Sequence, residues 1–174
     1  VKANDLFGPA LIWMNDHELL FTAKSGILIV DTKTRNMVRL VSEESGQPFA
    51  HAYIPSRKKL IYGINVIRNN GDFTTLIKEA ELTNRKLVNP RTIMNVILGG
   101  EINPTSTSDG RYLAFVAGPW GEKKIYIADS TSGQYVSVAG DEDWSERYCI
   151  ILPDGSGLIA MSVRDEPESR EVSG

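Results

Sequence analysis

The run Thr107-Ser108-Asp109-Gly110-Arg111-Tyr112-Leu113-Ala114-Phe115-Val116 decides the reading of the chain. Asp-Gly is a strong hairpin signal, because glycine takes the positive φ of a tight turn without a Cβ penalty. The strand that follows is apolar on both of its alternating faces, so it needs a layer packed on each side. The same turn-then-strand arrangement returns around Leu19, Leu60 and Leu158, with Leu113 as its counterpart here. Two positions on stand Phe21, Tyr62, Phe115 and Ala160, each on the same strand face as its leucine. The anchors recur at about 40–50 residues, the period of blade-like repeats.

A second pattern keeps the same phase. Ile27-Leu28-Ile29-Val30-Asp31-Thr32-Lys33-Thr34-Arg35 aligns without a gap on Ile125-Tyr126-Ile127-Ala128-Asp129-Ser130-Thr131-Ser132-Gly133, and Ile77-Lys78-Glu79-Ala80-Glu81-Leu82-Thr83-Asn84-Arg85 fits more loosely. Each is a strand ending in an acid, then a polar turn, then another β-rich run; 37–41, 86–88 and 135–139 are those runs. Residues 74–82 have some helical character, but the repeat places a strand there. Each unit therefore predicts four short antiparallel strands, the architecture of a propeller blade.

Two motifs add a family. Thr107 to Val116 and Leu152-Pro153-Asp154-Gly155-Ser156-Gly157-Leu158-Ile159-Ala160 resemble the x-S-P-D-G-x-x-I-A-F signature of TolB-type (WD-like) β-propeller repeats. Ile125-Tyr126-Ile127-Ala128-Asp129 resembles that family's I-Y-x-x-D strand. The first unit departs from the pattern with Asn15-Asp16 and the second with Ser56-Arg57. The resemblance implies an all-β chain, a single domain over 1–174, with blades near 10–41, 48–88, 102–139 and 147–174. The last blade is incomplete, which marks the chain as a portion of a larger propeller, or as one whose ends are covered by self-association or by blades from a longer chain. Such repeats serve periplasmic TolB, prolyl-oligopeptidase-like peptidases, oligogalacturonate lyases and sensors, so a periplasmic or extracellular setting is implied and a cytoplasmic one stays open.

Composition excludes several classes. With 19 Lys+Arg against 22 Asp+Glu, the formal charge of −3 offers no basic surface for nucleic acid. No apolar run is long enough for a membrane span. A G-x-S-x-G elbow is missing, and His17 and His51 follow no metal-ligand spacing, so neither catalytic residues nor a metal nor a cofactor is expected. Cys149, the one cysteine, lies in Tyr148-Cys149-Ile150-Ile151 and reads as a buried small hydrophobe. The recurrent acids Asp31, Glu81 and Asp129 read as turn caps. Trp13, in a first-strand position, reads as core.

Loops on a rigid scaffold are where function is sought. One propeller face collects 24–26, 66–72, 118–123 and 164–169 with 42–48, 89–104 and 140–147. These carry Trp120 and Trp144, with Asn70 and Arg147 as polar companions, and many of the chain's acids. The expectation is a non-catalytic module that binds a protein partner or small ligand there. The alternative is the substrate-gating portion of a larger enzyme. Arg57-Lys58-Lys59 is expected on the opposite face.

Overall fold

The computed structural model describes residues 6–23, 25–42, 46–67, 73–96, 104–118, 123–139 and 144–164. Among these, fourteen strands form four antiparallel sheets. Blade 1 holds β1 (Leu6–Trp13), β2 (Glu18–Ala23), β3 (Gly26–Asp31) and β4 (Met37–Val41). Blade 2 holds β5 (Gln47–Ile54), β6 (Lys59–Ile67), β7 (Phe73–Thr83) and β8 (Lys86–Val96). Blade 3 holds β9 (Thr105–Ser106), β10 (Tyr112–Ala117), β11 (Lys124–Asp129) and β12 (Tyr135–Ala139), and blade 4 holds β13 (Trp144–Ile151) and β14 (Leu158–Arg164). In every sheet the strands lie in chain order, each antiparallel to the next. This is the all-β propeller arrangement expected from the repeat.

The core consists of the seams between blades. Leu20, Ile27 and Ile29 of blade 1 pack on Leu60, Tyr62, Ala80 and Leu82 of blade 2. Ile61, Ile77 and Met94 of blade 2 pack on Leu113, Phe115 and Ala128 of blade 3. Ala114, Val116 and Ile125 of blade 3 pack on Cys149 and Ile151 of blade 4. β6 and β10 thus each send their anchor leucine toward the preceding blade and the next residue toward the following one. Fully burying one such aliphatic side chain is worth about 1.5–3 kcal/mol, so the seams dominate the stability. Leu60 and Leu113 are wholly buried, whereas Leu19 and Leu158 are half-buried. Leu19 faces away from blade 2, and Leu158 packs only at the margin of the third seam.

Trp13 is a correction to the core expectation: it is exposed. It pairs with Leu19, on the face of blade 1 turned away from blade 2. A second correction concerns the hairpin of blade 2. β8 continues to Val96 rather than stopping at Val88, so part of the stretch expected as the 89–104 loop is strand. β8 pairs along the whole of the equally long β7 as far as Thr75–Val96, from a turn whose two residues, Asn84 and Arg85, have the φ values of 52° and 57° that match strand twist.

Turn chemistry repeats where the sequence repeats. The Asp31 carboxylate accepts the Lys33 and Thr34 backbone N–H groups, and the Asp129 carboxylate accepts those of Thr131 and Ser132. Both turns then close through a left-handed residue, Arg35 in one and Gly133 in the other. Glu81 is the exception, because β7 runs past it into the tight turn. Asn15 accepts the N–H groups of His17 and Glu18, doing for blade 1 what Asp109 does for blade 3 by accepting that of Arg111.

The tip of the blade 2 hairpin also clamps blade 1. The Arg85 Nε donates to Glu18 Oε1 at 2.6 Å and its Nη2 to Asp31 Oδ2 at 2.9 Å. The Thr34 backbone N–H and this guanidinium hold the Asp31 carboxyl down at about 2. At Glu18, burial pushes the pKa up, but hydrogen bonds from Asn15 and Arg85 outweigh it, and the net shift is downward.

Two outcomes follow from these contacts. Asp31 is more acidic folded than unfolded, so its contribution is complete above the ordinary carboxylate range and is lost as pH falls through about 2. Arg85→Ala should raise the Asp31 pKa, read by NMR titration of its carboxyl, and shift acid unfolding to higher pH; an unchanged titration would show that the clamp does not act on Asp31. Separately, Gly110 has a φ of 69°, and a Cβ on it would collide with Ile54 Cδ1 across the second seam. Gly110→Ala should cost about 1–3 kcal/mol in urea unfolding, from left-handed strain and overpacking together.

Candidate functional site

The strands end in two sets of connections, and contacts between blades fix which turns share an end. Ile54 touches Gly110, and the Ser108 N–H donates to the Pro153 carbonyl at 2.7 Å. The turns at 55–58, 107–111 and 152–157 therefore lie together. This is the end that carries Arg57, Lys58 and Lys59, with Lys58 left-handed after a 3-10 turn at Pro55–Arg57.

The opposite end is reached through β13. Trp144 opens this strand and pairs with Arg164, at the far end from the 152–157 turn. The expectation of a loop through 147 is corrected here: the strand begins at Trp144 because Ser145 and Glu146 already pair with Val163 and Ser162. Arg147 is the extra residue of a β-bulge, since Glu146 pairs with Ser162 and Tyr148 with Met161. A bulge bends the strand and commonly re-aims side chains near sites. Trp120 and Asn70 lie outside the described residues, as do Glu43, Glu44, Asp141, Glu142, Asp143, Asp165, Glu166 and Glu168 of the acidic loops.

What holds the start of β13 is visible. The Glu146 N–H donates to the Lys123 carbonyl at 3.1 Å, tying it to the last residue before β11. The Glu146 side chain is buried and accepts the Ser162 hydroxyl. Lower in the same strand, Ile151 N–H donates to Thr105 Oγ1 at 3.0 Å, a second tie to blade 3. β13 is thus a fixed rail running from the loop end to the turn end.

The remaining polar groups read as structure. His17 sits in the β1–β2 turn, where its carbonyl accepts both the N–H and the hydroxyl of Thr32. His51 is the bulged residue of β5, between the pairs Ala50–Tyr62 and Ala52–Ile61. Among the described residues no His, Cys, Asp or Glu cluster is arranged to hold a metal. Glu79 is buried in blade 2 with Lys59 Nζ at 2.8 Å and Arg91 Nε at 2.7 Å, an ion group held within one sheet. Next to the β1–β2 turn, Trp13, Met14, Asn15 and Asp16 line an open depression of about 380 Å³. Sequence reasoning missed it, having placed Trp13 in the core.

No protein-family model matches the sequence, and neither does any curated protein. Solved structures do. A putative TolB from Agrobacterium tumefaciens superposes with a TM-score of 0.61 at 15% identity, covering 85% of this chain and 51% of that one. An oligogalacturonate lyase from Vibrio parahaemolyticus gives 0.60 at 13% identity, covering 95% and 47%. A puromycin-hydrolyzing peptidase from Mycobacterium tuberculosis gives 0.59 at 13%, covering 88% and 27%. The chain spans about half the length of the first two and less of the third. At these identities the likeness concerns the fold, which is the TolB-type β-propeller fold.

Cys149 yields the test of this region. Burial, helped by the nearby Glu146 charge, pushes its thiol up to about 12. The thiolate is the reactive form, so native protein at neutral pH should stay unmodified by a thiol-specific disulfide reagent and react at once in denaturant. Rapid modification of the native chain would contradict a Cys149 packed in the third seam.

Proposed function

We propose that this chain is a non-catalytic propeller module that binds a protein partner or a small ligand through its loop end, at a surface built from Trp120 and Trp144 with Asn70 and Arg147. The observation that carries this reading is the Glu146 N–H to Lys123 carbonyl bond. It holds the strand that begins with Trp144 beside the end of the segment that carries Trp120. A rigid scaffold with large aromatics in the sequence of its connections suits recognition, because such side chains bury much area and lose little side-chain entropy on binding. The TolB-type fold supports the same reading, as does its implication of a periplasmic or extracellular setting. No helix among the described residues is long and apolar enough to cross a membrane.

A second reading is favoured by the lyase and the peptidase among the similar structures. In it the chain is the propeller portion of a larger enzyme, and the loop end gates substrate. The two readings part on the sequence of the full-length gene product, where a nucleophile elbow or other catalytic motif would select the enzyme.

Trp120→Ala and Trp144→Ala provide the direct test. Each should weaken capture of the partner by the immobilised chain at least tenfold while urea unfolding shifts by well under 1 kcal/mol. A loss of about 3–5 kcal/mol in stability, the usual cost of truncating a buried aromatic, would place that tryptophan in the core and end its candidacy. Unchanged capture in both variants would overturn the loop-end site.

A further inference from the structure

At the turn end, equivalent backbone positions carry different side chains in different blades. The Lys58 N–H donates to the Pro55 carbonyl at 3.2 Å, as that of Gly110 does to Thr107 at 2.8 Å and that of Gly155 to Leu152 at 2.9 Å. All three residues are left-handed, with φ of 50°, 69° and 76°. The β3–β4 and β11–β12 turns repeat the contrast. Arg35, at φ 59°, donates to the Asp31 carbonyl as Gly133, at φ 72°, donates to that of Asp129. Blades 3 and 4 place glycine where blades 1 and 2 place a cation. A left-handed backbone crowds the Cβ of an L residue, and glycine escapes that cost.

Gly110 and Gly133 have a packing reason as well, since a Cβ there would meet Ile54 and the Ile93 carbonyl. The cost at Lys58 and Arg35 is not offset by packing or pairing. Both side chains are exposed, and neither joins an ion pair among the described residues. Arg85, a third cation in a left-handed turn here, is accounted for by its clamp on Glu18 and Asp31.

These tips adjoin one another. Arg35 bonds the backbone of Asp31, whose carboxylate holds Arg85, and the Leu82 N–H, just before the Arg85 turn, donates to the Lys58 carbonyl at 2.7 Å. Lys33 and Lys86 flank the same turns, exposed and likewise without an ion pair among the described residues. Of the acids beside them, Glu18 and Asp31 are engaged by Arg85, while Asp16 and Glu81 stand exposed. Charge is uneven along the chain in the same sense. Residues 46–67 and 73–96 of blade 2 hold seven Lys or Arg against two acids, in a chain of formal charge −3.

We infer that the turn end of blades 1 and 2, presenting Lys33, Arg35, Lys58 and Lys86 around the Arg85 clamp, is a docking surface for an acidic polypeptide segment of a partner protein. The cations stand on hairpin tips whose backbones are already fixed, so little ordering is lost when a partner arrives. Asp16 and Glu81 decide the class of partner. A nucleic acid or an anionic membrane presents unbroken negative charge, which meets these acids as well as the cations. A peptide can set carboxylates against the cations and neutral or basic residues against the acids. This surface lies at the opposite end from the loop-end site and stands or falls without it.

The probe is a fluorescein-labelled peptide of repeated Glu-Asp-Ala-Gly, titrated by anisotropy into the full 174-residue chain at low salt. It should bind saturably and lose affinity as salt is raised. Arg35→Gly and Lys58→Gly remove a charge and relieve the left-handed backbone together. Each should weaken binding at least threefold with the urea midpoint unchanged or raised. Lys58→Arg should bind as the unaltered chain does, and so should Lys124→Gln, on an exposed side chain at the loop end of blade 3. Absence of saturable binding, or glycine variants that bind as tightly as the unaltered chain, would overturn the proposal. So would an equal loss in Lys124→Gln, which would mean attraction by total charge alone. Tighter binding of a single-stranded oligothymidine, or of vesicles containing phosphatidylserine, than of the peptide would assign another class of partner and overturn it equally. A lower urea midpoint in the glycine variants would show that these side chains serve the fold and would remove its premise.

Discussion

Everything in this structure depends on second strands that are apolar on both faces. β6 and β10 cannot be solvated on either side: Leu60 and Leu113 look back to one blade, Ile61 and Ala114 forward to another, and all four are fully buried. A lone sheet with such a strand would expose both apolar faces, so each blade is stable only as part of a stack. The sheets are cheap to make locally, by hairpins between neighbouring strands. Stability resides in the seams, where each blade completes the next. Ile159 stands at the position of Leu20, Ile61 and Ala114, has no further blade against it among the described residues, and is 62% exposed.

Polar contacts refine this packing rather than produce it. The caps at Asp31, Asp109, Asp129 and Asp154 satisfy turn N–H groups, and the Arg85 clamp sets the angle of blade 2 on blade 1 at their rim. The carboxylates of that clamp are largely shielded from water, so removing Arg85 leaves two buried acids without their cation. The aromatic group of Phe115, Tyr126 and Tyr135, with ring centroids 5.6–6.0 Å apart, fills the second seam in a way that aliphatic side chains alone would not. All of these turn caps and the Arg85 clamp lie at the turn end of the blades.

The fold was legible because its repeat rests on short-range chemistry. Asp109-Gly110 and Asp154-Gly155 announce turns, and Asp31 and Asp129 cap theirs as their Thr and Ser neighbours suggest. The misreadings lie where packing at a distance decides. Trp13 has a core-like sequence context, but its face has no described blade against it. β8 runs on to Val96 because it pairs with the far end of β7 at Thr75, more than twenty residues back in sequence. The start of β13 is fixed by Glu146 bonding to Lys123, a contact between sequence-distant segments that no local pattern encodes. The candidate site was legible only as a set of connections carrying tryptophans, because no local pattern says which side chains of different connections meet.

Residue-resolved amide hydrogen exchange on the native chain tests the central claim most directly, because it reads how far each second strand depends on neighbours at both faces. If seams supply the stability, the amides of β6 and β10, each covered by blades on both sides, should exchange slowest, and those of β14 fastest among the second strands. Equal protection of β14 and β10, or slowest exchange in the outer strands β4 and β12, would contradict it.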